Sequence, residues 1–236
     1  MTTLALAALA AALLVGAGWL WIRWWDARRR GQMAALAASM GLAYSPDDPV
    51  GIPDRYDGIR AIGRGFERRA FNVIRGQSRG REVLAFDYIC KTQEQGGKSR
   101  QTHHFSAVLV PCACRFPRLL VRPEGLQDRL AGALGSEDID FESHEFSRRW
   151  YVSGPDRKFA YQVIHPRMME YLLANPGWII ELGGPGAAIH TESIWKVERF
   201  GPALEVLSGF LDRVPRFVWK ELGEQNQAGR QGAAGG

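Results

Sequence analysis

The sequence predicts an α+β protein: one N-terminal transmembrane helix, then a single mainly antiparallel sheet domain with packing helices and a C-terminal helix. Three observations predict it. Residues 4–22 run for 19 positions without a charged side chain, built mostly from Ala, Leu, Val, Gly and Trp. Between residues 71 and 121, short stretches rich in Val, Ile and aromatics alternate with Gly-containing turns. Near the end, Leu204, Leu207, Leu211 and Val214 recur at three and four, an apolar stripe that needs a sheet to lie on.

The uncharged run would measure roughly 28 Å as a helix, the hydrocarbon thickness of a bilayer. Trp19, Trp21, Trp24 and Trp25 crowd its C-terminal end, and Arg23, Arg28, Arg29 and Arg30 sit beside them, the residue types that settle at a membrane interface. No basic residue precedes the run. The Lys/Arg asymmetry therefore predicts the plasma (inner) membrane, with the N-terminus outside and the body cytoplasmic. A signal peptide would need a basic leader and a small-residue cleavage site, and this run ends in Trp and Arg.

The expected organisation follows. Residues 1–25 are the anchor. Residues 26–41 are a juxtamembrane helix, marked by Met33, Leu36 and Met40, stopped by Gly41 and open to a bend at Gly31. Residues 42–222 form the α+β domain, and residues 223–236, polar and Gly-rich, a disordered tail.

Within the body, loops are expected around Ser45-Pro46-Asp47-Asp48-Pro49, and a hairpin of strands 71–75 and 82–88 around the turn 76–80. Strands 102–110 and 119–121 follow, then a short helix on Leu126, Leu130 and Leu134. Residues 150–152 are a strand, Gly154-Pro155-Asp156 a turn, and Pro166 opens a helix whose Met169, Leu172 and Leu173 face inward. A second hairpin is expected from 178–182 and 189–197 around Gly183-Gly184-Pro185-Gly186. Helices from about Pro202 and after Pro215 close the domain.

Cysteines 90, 112 and 114 are too few and too unevenly placed for a disulfide framework, and no Asn-x-Ser/Thr acceptor occurs, both in keeping with a reducing compartment. The net charge of +5 is uneven: residues 55–122 carry 14 basic against 5 acidic side chains, residues 123–236 carry 12 against 16. A body tethered to an anionic leaflet gains about 1 kcal/mol per basic residue held at that surface. The basic half, with Arg64, Arg68, Arg69, Arg75, Arg79 and Arg81 around one hairpin, is therefore expected to face the membrane. A solvated arginine-rich surface is the competing account. No basic helix, zinc spacing or aromatic-basic sheet motif points to nucleic acid.

One block is distinctive: Glu145-Phe146, the pair Arg148-Arg149, Trp150-Tyr151-Val152, Asp156, then Ala160-Tyr161 followed by Pro166, Met168 and Leu172. With Phe86-Asp87-Tyr88 and the overall layout, it resembles a bacterial family of proteins of unknown function that share an N-terminal membrane anchor. That resemblance implies a location and a cytoplasmic α+β domain, and supplies no catalytic residues.

Candidate chemistry is sparse. Gly76-Gln77-Ser78-Arg79-Gly80 has the form of a serine-hydrolase elbow, but a strand follows it where the elbow needs a helix. Asp138, Asp140, Glu142 and His144 would share one face of an extended segment. Such ligands rise about 6.5 Å at each second residue, whereas a metal needs them within about 2.0 to 2.6 Å of one point, so one strand cannot close a shell. A solvent-facing acidic edge paired with arginines is the simpler reading. Cys112, Cys114, His103 and His104 are zinc-ligand types at poor spacing.

No cofactor is expected. Two function classes follow: a non-enzymatic binding module for a lipid headgroup, anionic lipid in particular, or a protein partner; alternatively, a membrane-bound hydrolase or metal-dependent enzyme using the acidic segment. The topology is directly testable: a reporter fused after Gly236 should behave as cytoplasmic, and periplasmic activity would reverse the orientation.

Overall fold

The computed structural model describes residues 2–93, 99–125, 139 and 141–234, with side chains from Gly16 to Gln225 except Ile22. The element order is α1 (Thr2–Ser39), β1 (Ala43–Asp47), α2 (Ile52–Arg55), α3 (Arg60–Gly63), β2 (Phe66–Ser78), β3 (Arg81–Gln93), β4 (Arg100–Pro123), α4 (His144–Ser147), β5 (Trp150–Ser153), α5 (Arg157–Val163), α6 (Pro166–Ala174), β6 (Ile179–His190), α7 (Phe200–Arg213) and α8 (Arg216–Ala234). The α+β class holds. One antiparallel sheet runs β1-β2-β3-β4-β5, and β6 also pairs with β4.

Residues 4–22 form the first half of α1. Among the described residues, no helix is long and apolar enough to cross a membrane. The helix continues through Gly31 without a break. It ends as a Schellman motif: Gly41 takes φ +67°, its N–H donates to Ala38 O, and the Leu42 N–H donates to Ala37 O. Met33 and Ala37 are wholly buried against the sheet. The C-terminal turns of α1 thus pack into the same core cluster as the sheet.

The sheet is covered on both faces, and β3 shows why. Residues 83–88 are all buried, a continuous run in place of the alternation that one solvated face would produce. Val83 and Ala85 pack with α1, α7 and the helices near the C-terminus. Leu84, Phe86, Tyr88 and Cys90 pack under α2 and α3, through Ile52, Tyr56, Ile59 and Ile62. Each such side chain contributes about 1.5 to 3 kcal/mol by leaving water. Tyr88 Oη also donates to Ile62 O at 2.7 Å, fastening α3 to the sheet.

The strands are longer than their sequence suggests. β2 and β3 meet at a two-residue turn, Arg79-Gly80, both with positive φ, since Ser78 pairs with Arg81. Gly76 thus lies inside a strand. Two bulges lengthen β2: Glu67-Arg68 oppose Cys90 alone, and Asn72-Val73 oppose Phe86 alone, with Glu67 and Asn72 left-handed. β4 is one strand of 24 residues where two were expected. It bends at 112–115, which oppose Pro185 of β6 alone.

The second expected hairpin does not form. Gly183-Gly184-Pro185-Gly186 lies within β6, and the glycines serve a close approach: a Cβ on Gly183 would collide with the Gly58 carbonyl. Residues 191–197, read as a strand, are irregular and lead into a 3₁₀ turn. Ser45-Pro46-Asp47, read as loop, is edge strand β1, with Pro46 between the paired Ser45 and Asp47. The segment after Trp219, read as a disordered tail from residue 223, is helical to Ala234, its Glu, Gln and Ala outweighing the glycines. The helix expected on Leu126, Leu130 and Leu134 lies outside the described residues. In α7, Leu204, Leu207 and Leu211 are buried as expected, but α6 buries Met168 and Leu172, and leaves Met169 and Leu173 partly exposed.

Two substitutions separate these roles. Gly183→Ala should cost about 1 to 3 kcal/mol through the forced contact with Gly58. Gly31→Ala, in open space on a continuous helix, should gain about 0.5 to 1 kcal/mol. Thermal melts of the two variants check both signs.

Candidate functional site

The polar centre of the molecule is a buried ion pair between α1 and β3. Arg29 Nε donates to Asp87 Oδ2 at 3.0 Å and Nη2 donates to Oδ1 at 2.8 Å. The fork geometry matches the carboxylate and is the stronger form of such a pair. Arg29 Nη1 donates to Trp195 O at 2.7 Å. Asp87 accepts two further bonds, from Ser106 Oγ at 2.6 Å and Asn72 Nδ2 at 3.0 Å. Ser106 Oγ in turn accepts the Trp195 N–H at 3.0 Å, and Asn72 Oδ1 accepts Tyr44 Oη at 3.0 Å.

Local structure places each group. Asp87 and Ser106 are cross-strand partners on one face. Asn72 reaches that face because the bulge in β2 turns it there. Arg29 lies one helical turn before Met33, on the stripe that faces the sheet. It is 8% exposed, whereas Arg23, Arg28 and Arg30 are exposed. Of the four arginines assigned to an interfacial belt, Arg29 is the one turned into the protein.

The pair also fixes direction. Arg29 is level with Asp87, and Leu42 touches Gly76 near the β2–β3 turn. Traced backwards from Arg29, α1 therefore leaves toward the opposite strand ends, near Phe66 and Gln93. Beside its exit, Trp24, Trp25, Arg28 and Gln32 face Ile194 and Lys196 across a cleft of about 370 Å³. Trp19, Trp21, Trp24 and Trp25 are each more than half exposed. Arg23 lies over the Trp19 ring at 5.0 Å and Arg28 over Trp24 at 5.2 Å.

The six hairpin arginines divide between the two ends of the sheet. Arg79 and Arg81 flank the turn and pair with Glu205 at 3.0 Å and Asp212 at 2.7 Å on α7. Arg75 is exposed near the same end. Arg64, Arg68 and Arg69 lie at the end where α1 exits. Arg68 is occupied by Asp54 and the Pro53 and Gly63 carbonyls, and Arg69 lies over Phe71 at 5.3 Å.

The remaining candidates do not converge. Asp138 and Asp140 lie outside the described residues. Glu142 is exposed in irregular chain, and His144 is exposed at the start of α4, so the segment from Phe141 is not a strand. Among the described residues, no group of three His, Cys, Asp or Glu could hold a metal. Ser78 ends a strand at a hairpin turn. His103 bonds Thr92 Oγ1 at 2.7 Å, far along β4 from Cys112 and Cys114, which line a separate cleft of about 580 Å³ with Arg81 and Trp219. Burial, with Cys114 beside it, pushes the Cys112 thiol up to about 12, which disfavours the thiolate at neutral pH.

One buried pair escaped the sequence reading. His190 Nε2 meets Glu181 Oε1 at 3.2 Å, and Glu181 Oε2 accepts the Ala61 N–H at 3.0 Å. Burial alone raises the Glu181 pKa, but His190, the Ala61 N–H and the Arg60 charge outweigh it and hold the pKa below 4.5. Both groups lie on the face covered by α3, joining that helix to β6. The signal was available: a lone carboxylate and a lone imidazole within one apolar strand need partners.

Two expectations follow. Asp87→Asn or Arg29→Met should each cost about 3 to 5 kcal/mol, because one charge is left buried alone. A double-mutant cycle read by denaturant unfolding should show strong coupling. For Glu181 the folded pKa is depressed, so its stabilisation is present above 4.5 and lost as pH falls through the lower folded value. Glu181→Gln should flatten the stability-against-pH curve in that acid window.

No family profile matches the chain, and no curated protein matches it. Among solved structures, the crystal structure of the mycobacterial trehalose monomycolate transport factor A, TtfA, is similar, with a TM-score of 0.59 over 79% of this chain and 96% of that one. The two share 14% sequence identity, so the likeness is one of fold.

Proposed function

We propose that the chain is a single-pass, membrane-tethered module of non-enzymatic character, with its sheet domain at the cytoplasmic face, binding a lipid headgroup or a protein partner as an accessory to lipid transport. The observation that carries this reading is the continuity of α1. The helix that begins with the uncharged run 4–22 ends as part of the domain core, held by Arg29 on Asp87. Wherever the run resides, the sheet is held within about 10 Å of its end, since Arg29 follows Ile22 by seven residues. The belt of exposed tryptophans and the exposed Arg23, Arg28 and Arg30 beside it support an interfacial position. The fold shared with a transport factor supports an accessory role over catalysis.

The tether has a direct test. The full chain should stay with membranes through a carbonate wash, and the paired change Leu13→Arg and Leu14→Arg should release it, since each arginine at the centre of a spanning helix costs about 2.5 to 3.5 kcal/mol. Release of the unaltered chain, or retention of the variant, would overturn the tether.

A further inference from the structure

We propose that the cleft where α1 leaves the sheet is a seat for the phosphate headgroup of an anionic glycerophospholipid; this rests on the tethered reading above. The cleft has two walls from distant parts of the chain. One is the helix, with Trp24, Trp25, Arg28 and Gln32, and the other is the segment after β6, with Ile194 and Lys196. The second wall is held in place by the buried network, because Trp195 O accepts Arg29 Nη1 and Trp195 N donates to Ser106 Oγ. The seat is thus built by the fold and is not a chance gap between mobile side chains.

Its chemistry is that of a lipid at the depth where headgroup meets acyl chain. Arg29, though it lines the cleft, has its charge met by Asp87. Arg28 and Lys196 have no carboxylate partner among the described residues, and Arg28 is aligned by the Trp24 ring. Two cations from opposite walls match one phosphodiester. Gln32 offers a neutral donor and acceptor for a glycerol hydroxyl. Trp24, Trp25 and Ile194 present apolar surface to the upper acyl chain. A volume of about 370 Å³ suits a headgroup and glycerol but not a whole lipid. The site differs from the hairpin arginines, two of which are paired with α7 at the far end of the sheet.

The test uses the full chain in mild detergent, offered an equimolar mixture of phosphatidylglycerol and phosphatidylcholine, with retained lipid read by native mass spectrometry. One phosphatidylglycerol per chain should be retained, with a preference of about tenfold or more that falls as salt rises. Arg28→Gln with Lys196→Gln should abolish the preference while the melting temperature holds, and Arg148→Gln with Arg149→Gln should leave it unchanged. Equal retention of both lipids, or equal losses from the two double variants, would overturn the proposal. So would displacement of the retained lipid by millimolar sn-glycerol 3-phosphate, which would mark the site as one for a soluble phosphate ester. Flotation of the same preparation with vesicles is read in parallel: a chain that floats but shows no lipid preference overturns this seat alone, and a chain that does not float overturns the tether with it.

Discussion

Most of this architecture depends on one buried ion pair. Removing a guanidinium and a carboxylate from water costs several kcal/mol per ion even after relaxation, and the attraction between them offsets this only when geometry is good and the other hydrogen-bonding positions are filled. Here both conditions are met. Asp87 accepts four hydrogen bonds on its two oxygens, and Arg29 donates to a carboxylate and a carbonyl together. The donors and acceptors come from α1, β2, β3, β4 and the segment after β6, and Tyr44 of β1 adds an outer bond through Asn72. A network of that reach favours one register of helix on sheet over its neighbours, because a shift by one residue would leave charges buried without partners.

The second organising constraint is that the sheet is covered twice. A strand apolar on both faces must find two partners, and the chain supplies both: α1 with the C-terminal helices on one side, the short α2 and α3 on the other. The polar pairs sit one on each side. Arg29–Asp87 fastens the first layer, and Glu181–His190 with the Ala61 N–H fastens the second. The bulges in β2 and the bend in β4 let so long a sheet curl over both layers.

The fold class, the C-terminal stripe and the stop at Gly41 were legible because each rests on a local period or a single residue's backbone preference. Strand lengths were not. Gly76 and Gly183 carry the same local mark as turn glycines, yet they sit inside strands because another backbone or side chain approaches there, a fact fixed by tertiary contact. The buried network was missed. Arg29 was grouped with the interfacial arginines and Asp87 noted only within Phe86-Asp87-Tyr88, although Arg29 falls on the stripe of Met33, Leu36 and Met40 and Asp87 interrupts an apolar strand. That they are partners of each other, 58 positions apart, lies in no local pattern. Charge counting grouped six arginines around one hairpin, and composition is blind to which end of a strand each occupies: Arg79 and Arg81 pair with α7 at the turn, and Arg68 meets Asp54 at the other end.

The continuous helix α1 has a consequence in rotation as well as in reach. Successive side chains step about 100° around a helix axis, so locking Arg29 against Asp87 sets the azimuth of every residue upstream. Trp25, four positions before Arg29, lies within about 40° of its direction, Arg28 about 100° round and Trp24 about 140°. The sheet and the N-terminal run are therefore phased like two gears on one shaft. A single residue inserted between Ile22 and Arg29 would preserve composition, charge and hydrophobicity, yet turn the tryptophan belt by about 100° relative to the domain and move Trp24 and Trp25 away from Ile194 and Lys196.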